Sequence, residues 1–143
     1  VAQRVLVKKP FSQFIKNATN VNRLEHIYRG DATGGWHYYP TGRPGATISN
    51  KVVGRNGVYK ADVEFVVDGR TIRKESTFFP DDMTEEEVVA VINRAFFNKK
   101  RIGPSANPNN DIYTATVDGI EIEMYISKDS GGLVSLGLSQ NNF

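Results

Sequence analysis

The sequence predicts an α+β fold, with an N-terminal helical segment followed by antiparallel β-hairpins and one helix between them. Three observations predict it. Apolar residues recur at spacings of three and four from Phe11 to Tyr28, the stripe of an amphipathic helix. Two Asp-Gly pairs, Asp68-Gly69 and Asp118-Gly119, each sit between runs of β-prone residues, a strong short-range hairpin signal. Between those hairpins, a Thr-x-x-Glu capping box opens a second apolar stripe of helical period. The order helix, hairpin, helix, meander fits segregated helices and sheets rather than a doubly wound sheet.

The first stripe comprises Phe11, Phe14, Ile15, Ala18, Val21, Leu24 and Ile27, with Pro10 before it and Gly30 after it as start and stop signals. Thr19-Asn20 is where it would divide into two helices, because both residue types favour caps over helix interiors. His26 falls in its last turn. Residues 31–57 are Gly-rich and read as an irregular connection with at most one short strand, near Ala46–Val53. Connections this long in compact domains are often functional.

The hairpin of Tyr59–Val67 and Arg70–Phe79 has a register fixed by its Asp68-Gly69 turn. Val67 faces Arg70, Phe65 faces Ile72, Val63 faces Lys74, and Glu64 faces Arg73. Side chains alternate between two faces with period two, which puts Lys74 on the face of Phe65, Ile72 and Phe78. A lysine there loses solvation, as a rim residue that snorkels or as a functional cation; on spacing alone the rim lysine is the commoner case. The helix follows Thr84 and Glu87, with Val88, Val91, Ile92, Ala95 and Phe96 as its apolar face. Asn98-Lys99-Lys100-Arg101 ends it, with cations where the helix dipole favours them. Gly103–Asp111 reads as a polar loop. Ile112–Val117 and Ile120–Ser127 form the second hairpin, and Leu133–Ser139 adds a third strand after the turn at Asp129-Ser130-Gly131-Gly132.

At 143 residues with a formal net charge of +2, the chain is expected to form one domain over 1–143, with residues 1–10 as a linker from a larger polypeptide. The mild basic balance permits a nucleic-acid partner without demanding one. Zero cysteines exclude thiol chemistry and cysteine-ligated metals. No apolar run approaches the roughly 18–20 residues of a membrane span. The chain opens on Val1 rather than Met, which fits a piece of a longer polypeptide.

Only two histidines occur, His26 and His37. Imidazole is the side chain that gives or takes a proton near neutrality, and two flanking a Gly34-Gly35 turn could meet as acid and base. The glycines would let the backbone approach a ligand and aim bare N–H groups at an anion. Taken singly, each histidine has an ordinary structural reading, His26 at a helix end and His37 packed beside Trp36 and Tyr38. With no matching carboxylate set they make a weak metal site, and no metal or other cofactor is expected. Asp81-Asp82 and Glu85-Glu86-Glu87 suit a helix N-terminus without catalysis. Lys99-Lys100-Arg101 could touch phosphates, a solvated helix end being the commoner case.

Glu25-His26-Ile27-Tyr28-Arg29-Gly30, then Gly34-Gly35-Trp36-His37, then Lys74-Glu75-Ser76-Thr77-Phe78-Phe79-Pro80 before a helix together resemble the bacterial EndoU ribonuclease family. The pieces are short but stand in the family's order, and the likeness covers roughly residues 24 to 139. Members include C-terminal toxin domains of contact-dependent growth-inhibition and other polymorphic toxin systems. The resemblance implies RNA cleavage in the manner of pancreatic ribonuclease, metal-independent or weakly metal-stimulated. The 2′-hydroxyl attacks phosphorus, the 5′-oxygen leaves, and a 2′,3′-cyclic phosphate remains. Carried over by motif, His37 resembles the base, His26 the acid (the two labels can be exchanged) and Lys74 the charge-stabilising cation. Gly35 would add backbone N–H donors to the phosphoryl oxygens.

The family's terminal Thr/Ser-x-Tyr-Pro element is not matched in full. Ser135 fits the hydroxyl position, but Gly137 stands where the tyrosine would be. Thr77 is a second candidate hydroxyl, and Tyr38, Tyr39 or Tyr125 a candidate stacking face, Tyr39 foremost. The resemblance further implies a monomeric endoribonuclease toxin acting on RNA, tRNA among the candidates. Delivered as the tail of a larger protein, it would act in the cytoplasm of a target bacterium and be held in check by an immunity protein over the His26/His37 cleft. The competing readings are a non-catalytic RNA-binding domain of the same fold and a structural interaction domain with inert histidines.

Overall fold

A computed structural model describes residues 36–41 and 45–143. The helix expected over Phe11–Tyr28, and with it His26, lies outside those residues, as do Gly34 and Gly35. Within them run β1 (Thr47–Val53), β2 (Tyr59–Val67), β3 (Arg70–Phe78), helix α1 (Glu85–Phe97), β4 (Lys100–Pro104), β5 (Asn110–Val117), β6 (Ile120–Ser127) and β7 (Leu133–Leu138). The strands pair antiparallel in two sheets, one of order β1-β2-β3 and one of order β4-β5-β6-β7. With α1 packed on β5 and β6, the described architecture is α+β.

Both Asp-Gly pairs close tight hairpins. Asp68 and Gly69 have φ of 51° and 75°, and Asp118 and Gly119 of 50° and 79°, the paired positive φ of a turn whose twist matches its strands. The register of β2 on β3 is the expected one, with Val63 opposite Lys74 and Glu64 opposite Arg73. Arg73 Nε donates to Glu64 Oε2 at 2.7 Å. Both side chains are exposed, so this pair specifies register more than it adds stability. Tyr59, Ala61, Val63 and Phe65 point inward and, with Trp36 and Phe78, form a hairpin core.

Helix α1 starts with a complete capping box. Thr84 Oγ1 accepts from Glu87 N–H at 3.1 Å, and Glu87 Oε1 accepts from Thr84 N–H at 3.0 Å. Val88, Val91, Ile92, Ala95 and Phe96 are buried against Ile120, Ile122, Met124 and Ile126 of β6 and Leu133, Leu136 and Leu138 of β7. This second core is separate from that of the hairpin.

One segment differs from expectation. Lys100 and Arg101 do not end the helix, and the polar loop does not begin at Gly103; residues 100–104 form β4 on the edge of the second sheet. The register shifts between Arg101 and Gly103, which leaves Ile102 60% exposed. A short edge strand carrying cations, a bulge and a proline has no alternation to read, and those features protect a sheet edge from mispairing. Arg101 donates to Asp111 at 3.0 Å across the pair. Asn98 ends the helix as expected, donating Nδ2–H to Arg94 O at 2.8 Å. Of the cations after it, Lys99 alone takes the helix-end role, donating to Phe96 O at 3.2 Å.

Candidate active site around His37

The segment Trp36–Tyr38 runs beside β3 and divides its side chains between the two cores. Trp36 packs edge-on against Phe65 and Phe78, with centroids 5.5 and 5.3 Å away, while Tyr38 lies in the helix core. Between them His37 sits at the seam where β3 meets β7. A regular strand would put residues 36 and 38 on the same side. The chain avoids this by turning at Trp36, whose φ is 70°, a value a bulky residue rarely adopts. Such strain persists only where neighbours enforce it. Here Ser76 Oγ donates to Trp36 O at 2.7 Å, and Phe79 N–H donates to His37 O at 2.8 Å.

The imidazole is fixed as firmly as its backbone. His37 is buried at 8% exposure, and its Nδ1 lies 2.6 Å from Thr77 O. A carbonyl oxygen only accepts, so Nδ1 carries the hydrogen and Nε2 the lone pair of the neutral ring. Thr77 Oγ1 lies 3.2 Å from the same Nδ1 and accepts from Leu138 N–H at 3.0 Å. Strand β7 thus positions Thr77, and Thr77 positions His37. A Cβ built on Gly137 would stand 3.4 Å from Thr77 Oγ1, 3.5 Å from His37 Cε1 and 3.9 Å from Nε2, so the bare backbone of Gly137 flanks the ring.

The other expected site residues divide. Ser135 is half-buried on β7, two residues before Gly137 and opposite Tyr125. Lys74 is half-buried mid-way along β3, and strand alternation puts it on the Trp36 side of that strand while Thr77 faces His37. Its strand is one of the two outer strands of its sheet. Tyr39 stands in a short 3-10 turn, 42% exposed and stacked on Trp36. Tyr38 is not a stacking face: it is 4% exposed and its hydroxyl donates to Met83 O. Tyr125 donates to Glu123, and burial together with that carboxylate pushes its pKa up to about 12. His26 and Gly35 lie outside the described residues.

Sequence reasoning missed that the carbonyl of Thr77, rather than a carboxylate, orients the histidine. No residue type encodes a main-chain acceptor, so only the strand partner reveals it. Among the described residues no group of three or more His, Asp or Glu side chains is arranged to hold a metal ion. No described helix is long and apolar enough to cross a membrane.

The bacterial EndoU nuclease family matches residues 20–136, a stretch that contains both histidines, Lys74, Thr77 and Ser135. A Bacillus cereus protein named "Toxin" is 35% identical over 123 residues, which make up 80% of this chain and 22% of that protein. The chain therefore spans about a fifth of the length of the relative it matches. No solved structure matches it. With the family's match running through the elements that surround His37, the chain belongs to the bacterial EndoU nucleases.

Proposed function

We propose that this chain is an endoribonuclease toxin domain that cleaves RNA by attack of the substrate's own 2′-hydroxyl, leaving 2′,3′-cyclic phosphate ends. The observation that carries the proposal is His37 itself, with Nδ1–H held on Thr77 O, which makes Nε2 the basic nitrogen of the neutral ring. A base for the 2′-OH, an acid for the departing 5′-oxygen and a donor for phosphorane charge are the three needs of this reaction. His37 supplies the base, His26 the acid and Lys74 the charge donor. Gly35 N–H and the Ser135 hydroxyl contribute to substrate binding, with Tyr39 as the stacking face, while the buried Thr77 serves the site by holding His37. No step uses a metal. DNA, which lacks the nucleophile, is not cut by this route.

The toxin reading rests on the Bacillus cereus relative's name. In this reading the domain is a monomer carried at the end of a longer protein into a target bacterium. Its substrates include tRNA, and an immunity protein covers the cleft in the producing cell.

The test is incubation of the chain with total tRNA in EDTA, with His37→Ala in parallel, followed by analysis of product ends. Cyclic phosphates that disappear in the variant support the mechanism. Intact RNA that comigrates with the protein, with and without added manganese, overturns it in favour of an RNA-binding domain.

A further inference from the structure

We infer that the concave surface between Tyr39 and Lys51 is a nucleotide subsite, and that it takes a guanine nucleotide next to the scissile bond. This inference deepens the RNA-cleaving reading of the His37 site and rests on it. Tyr39, Ile48, Asn50, Lys51, Tyr59 and Asp81 all line one cavity of about 280 Å³. Tyr39 is two residues from His37 in the chain, so their Cα atoms are at most about 7 Å apart. A nucleotide held on Tyr39 is thus close to one whose 2′-hydroxyl faces His37.

Each wall offers a separate part of a nucleotide's chemistry. The Tyr39 ring is braced from behind by Trp36, with centroids 6.0 Å apart and planes 25° from parallel, and is 42% exposed. A braced, exposed aromatic ring is a stacking platform for a base. Lys51 stands with Nζ 4.2 Å from the centre of the Tyr59 ring. No carboxylate pairs with it among the described residues, so its charge is available to a phosphate. Its placement comes from a break in the β1–β2 ladder. The register shifts between Ser49 and Val52, Asn50 has φ of 54°, and Asn50 Nδ2 donates to Asp62 at 2.7 Å. Bulges commonly re-aim side chains beside binding sites.

Asp81 supplies the discrimination. Its Oδ1 accepts from the Tyr59 hydroxyl at 2.6 Å, which fixes the carboxylate and keeps Oδ2 as a second acceptor. A carboxylate only accepts. Guanine presents two adjacent donors on its pairing edge, N1–H and the N2 amine. Adenine and cytosine place a ring acceptor beside their amine, and uracil flanks its one N–H with two carbonyls. Guanine is the base that meets the carboxylate without a repelling neighbour.

The experiment is equilibrium titration of the full chain with guanosine and uridine 5′-monophosphates, followed by NMR. Wild type and His37→Ala should bind the guanine nucleotide alike and the uracil nucleotide roughly tenfold more weakly. Tyr39→Ala and Lys51→Ala should each weaken guanine binding about tenfold, the scale of one stacked base. Tyr39→Phe should retain it, and Asp81→Asn, which keeps an acceptor for Tyr59, should erase the preference. Equal binding of the two nucleotides by wild type, absent binding, or binding indifferent to both Tyr39→Ala and Lys51→Ala overturns the subsite. The predicted binding pattern in a protein that cuts no RNA supports the subsite and removes the cleavage reading. Cleavage without that pattern does the reverse.

Discussion

His37 and Thr77, forty residues apart in sequence, meet twice at one ring nitrogen, through the threonine carbonyl at 2.6 Å and its hydroxyl at 3.2 Å. The carbonyl selects the tautomer, and the hydroxyl ties the pair to β7 by accepting from Leu138 N–H. The two contacts do separate work, so two substitutions should part them. His37→Ala removes the proposed base and should lower cleavage by roughly 10²–10⁴-fold, the usual worth of a general base. Thr77→Val keeps the carbonyl and the tautomer but leaves the buried Leu138 N–H without its acceptor, at a cost of about 1–3 kcal/mol. Thr77→Val should therefore lower the unfolding midpoint while retaining measurable turnover, and Thr77→Ser should restore stability. Paired denaturant titrations and initial-rate assays check both.

Gly137 tests how closely β7 holds the ring. A methyl group there would make ordinary contacts with Thr77 Oγ1 and His37 Cε1, at 3.4 and 3.5 Å. Gly137→Ala should accordingly fold and cleave close to wild type. Gly137→Val adds two further carbons toward a buried imidazole, and overpacking of this kind costs typically about 1–3 kcal/mol. The ring would shift from its bond to Thr77 O, so the valine variant should lose turnover out of proportion to its loss of stability. Rates measured far below the melting temperature separate the two effects.

Most of the described fold could be read from local chemistry. Asp68-Gly69 fixed both a turn and a register, so the positions of Glu64, Arg73 and Lys74 followed from counting. Thr84 and Glu87 marked the helix start because the capping box is complete within four residues. Strand β4 escaped because it is held by Thr114, Tyr113 and Ile112 across the sheet, and its own residues carry no alternation. For the site, residue type was enough to single out His37, whereas Ser135 and Thr77 stood out only through the family resemblance. Their arrangement was not legible, since it depends on a tertiary seam and on the positive φ of Trp36. The Tyr39 cavity was invisible beyond Tyr39 itself, because a bulge in β1 aims Lys51 and the bulge has no signature in sequence.

The capping box gives a local prediction independent of function. Thr84→Ala should cost about 1 kcal/mol, the typical loss for removing a hydroxyl cap. Glu87→Gln should cost less, since the amide oxygen still accepts from Thr84 N–H. Both changes are confined to the first turn of α1 and leave the Tyr38–Met83 hydrogen bond in place, so cleavage at 25 °C should be unchanged. Urea unfolding of the two variants measures the difference directly.

Alkaline pH should destabilise the fold through its buried tyrosines. Burial raises the Tyr59 pKa well above the usual phenol value of about 10, with the Asp81 carboxylate adding to it. Burial and Glu123 push Tyr125 up to about 12. The sign follows from proton counting. Below about pH 10 the folded and unfolded chains both keep these protons, and the stabilisation is fully present. Above that point the unfolded chain releases them while the folded chain retains them, so stability falls as pH rises toward the folded values. The part owed to Tyr125 ends near pH 12, and the part owed to Tyr59 continues beyond it. Tyr59→Phe loses the Asp81 hydrogen bond and should be less stable than wild type at pH 8. Its stability should nonetheless fall less steeply between about pH 10 and 12. Parallel slopes for the two proteins across that range would show that Tyr59 does not hold its proton as its burial requires.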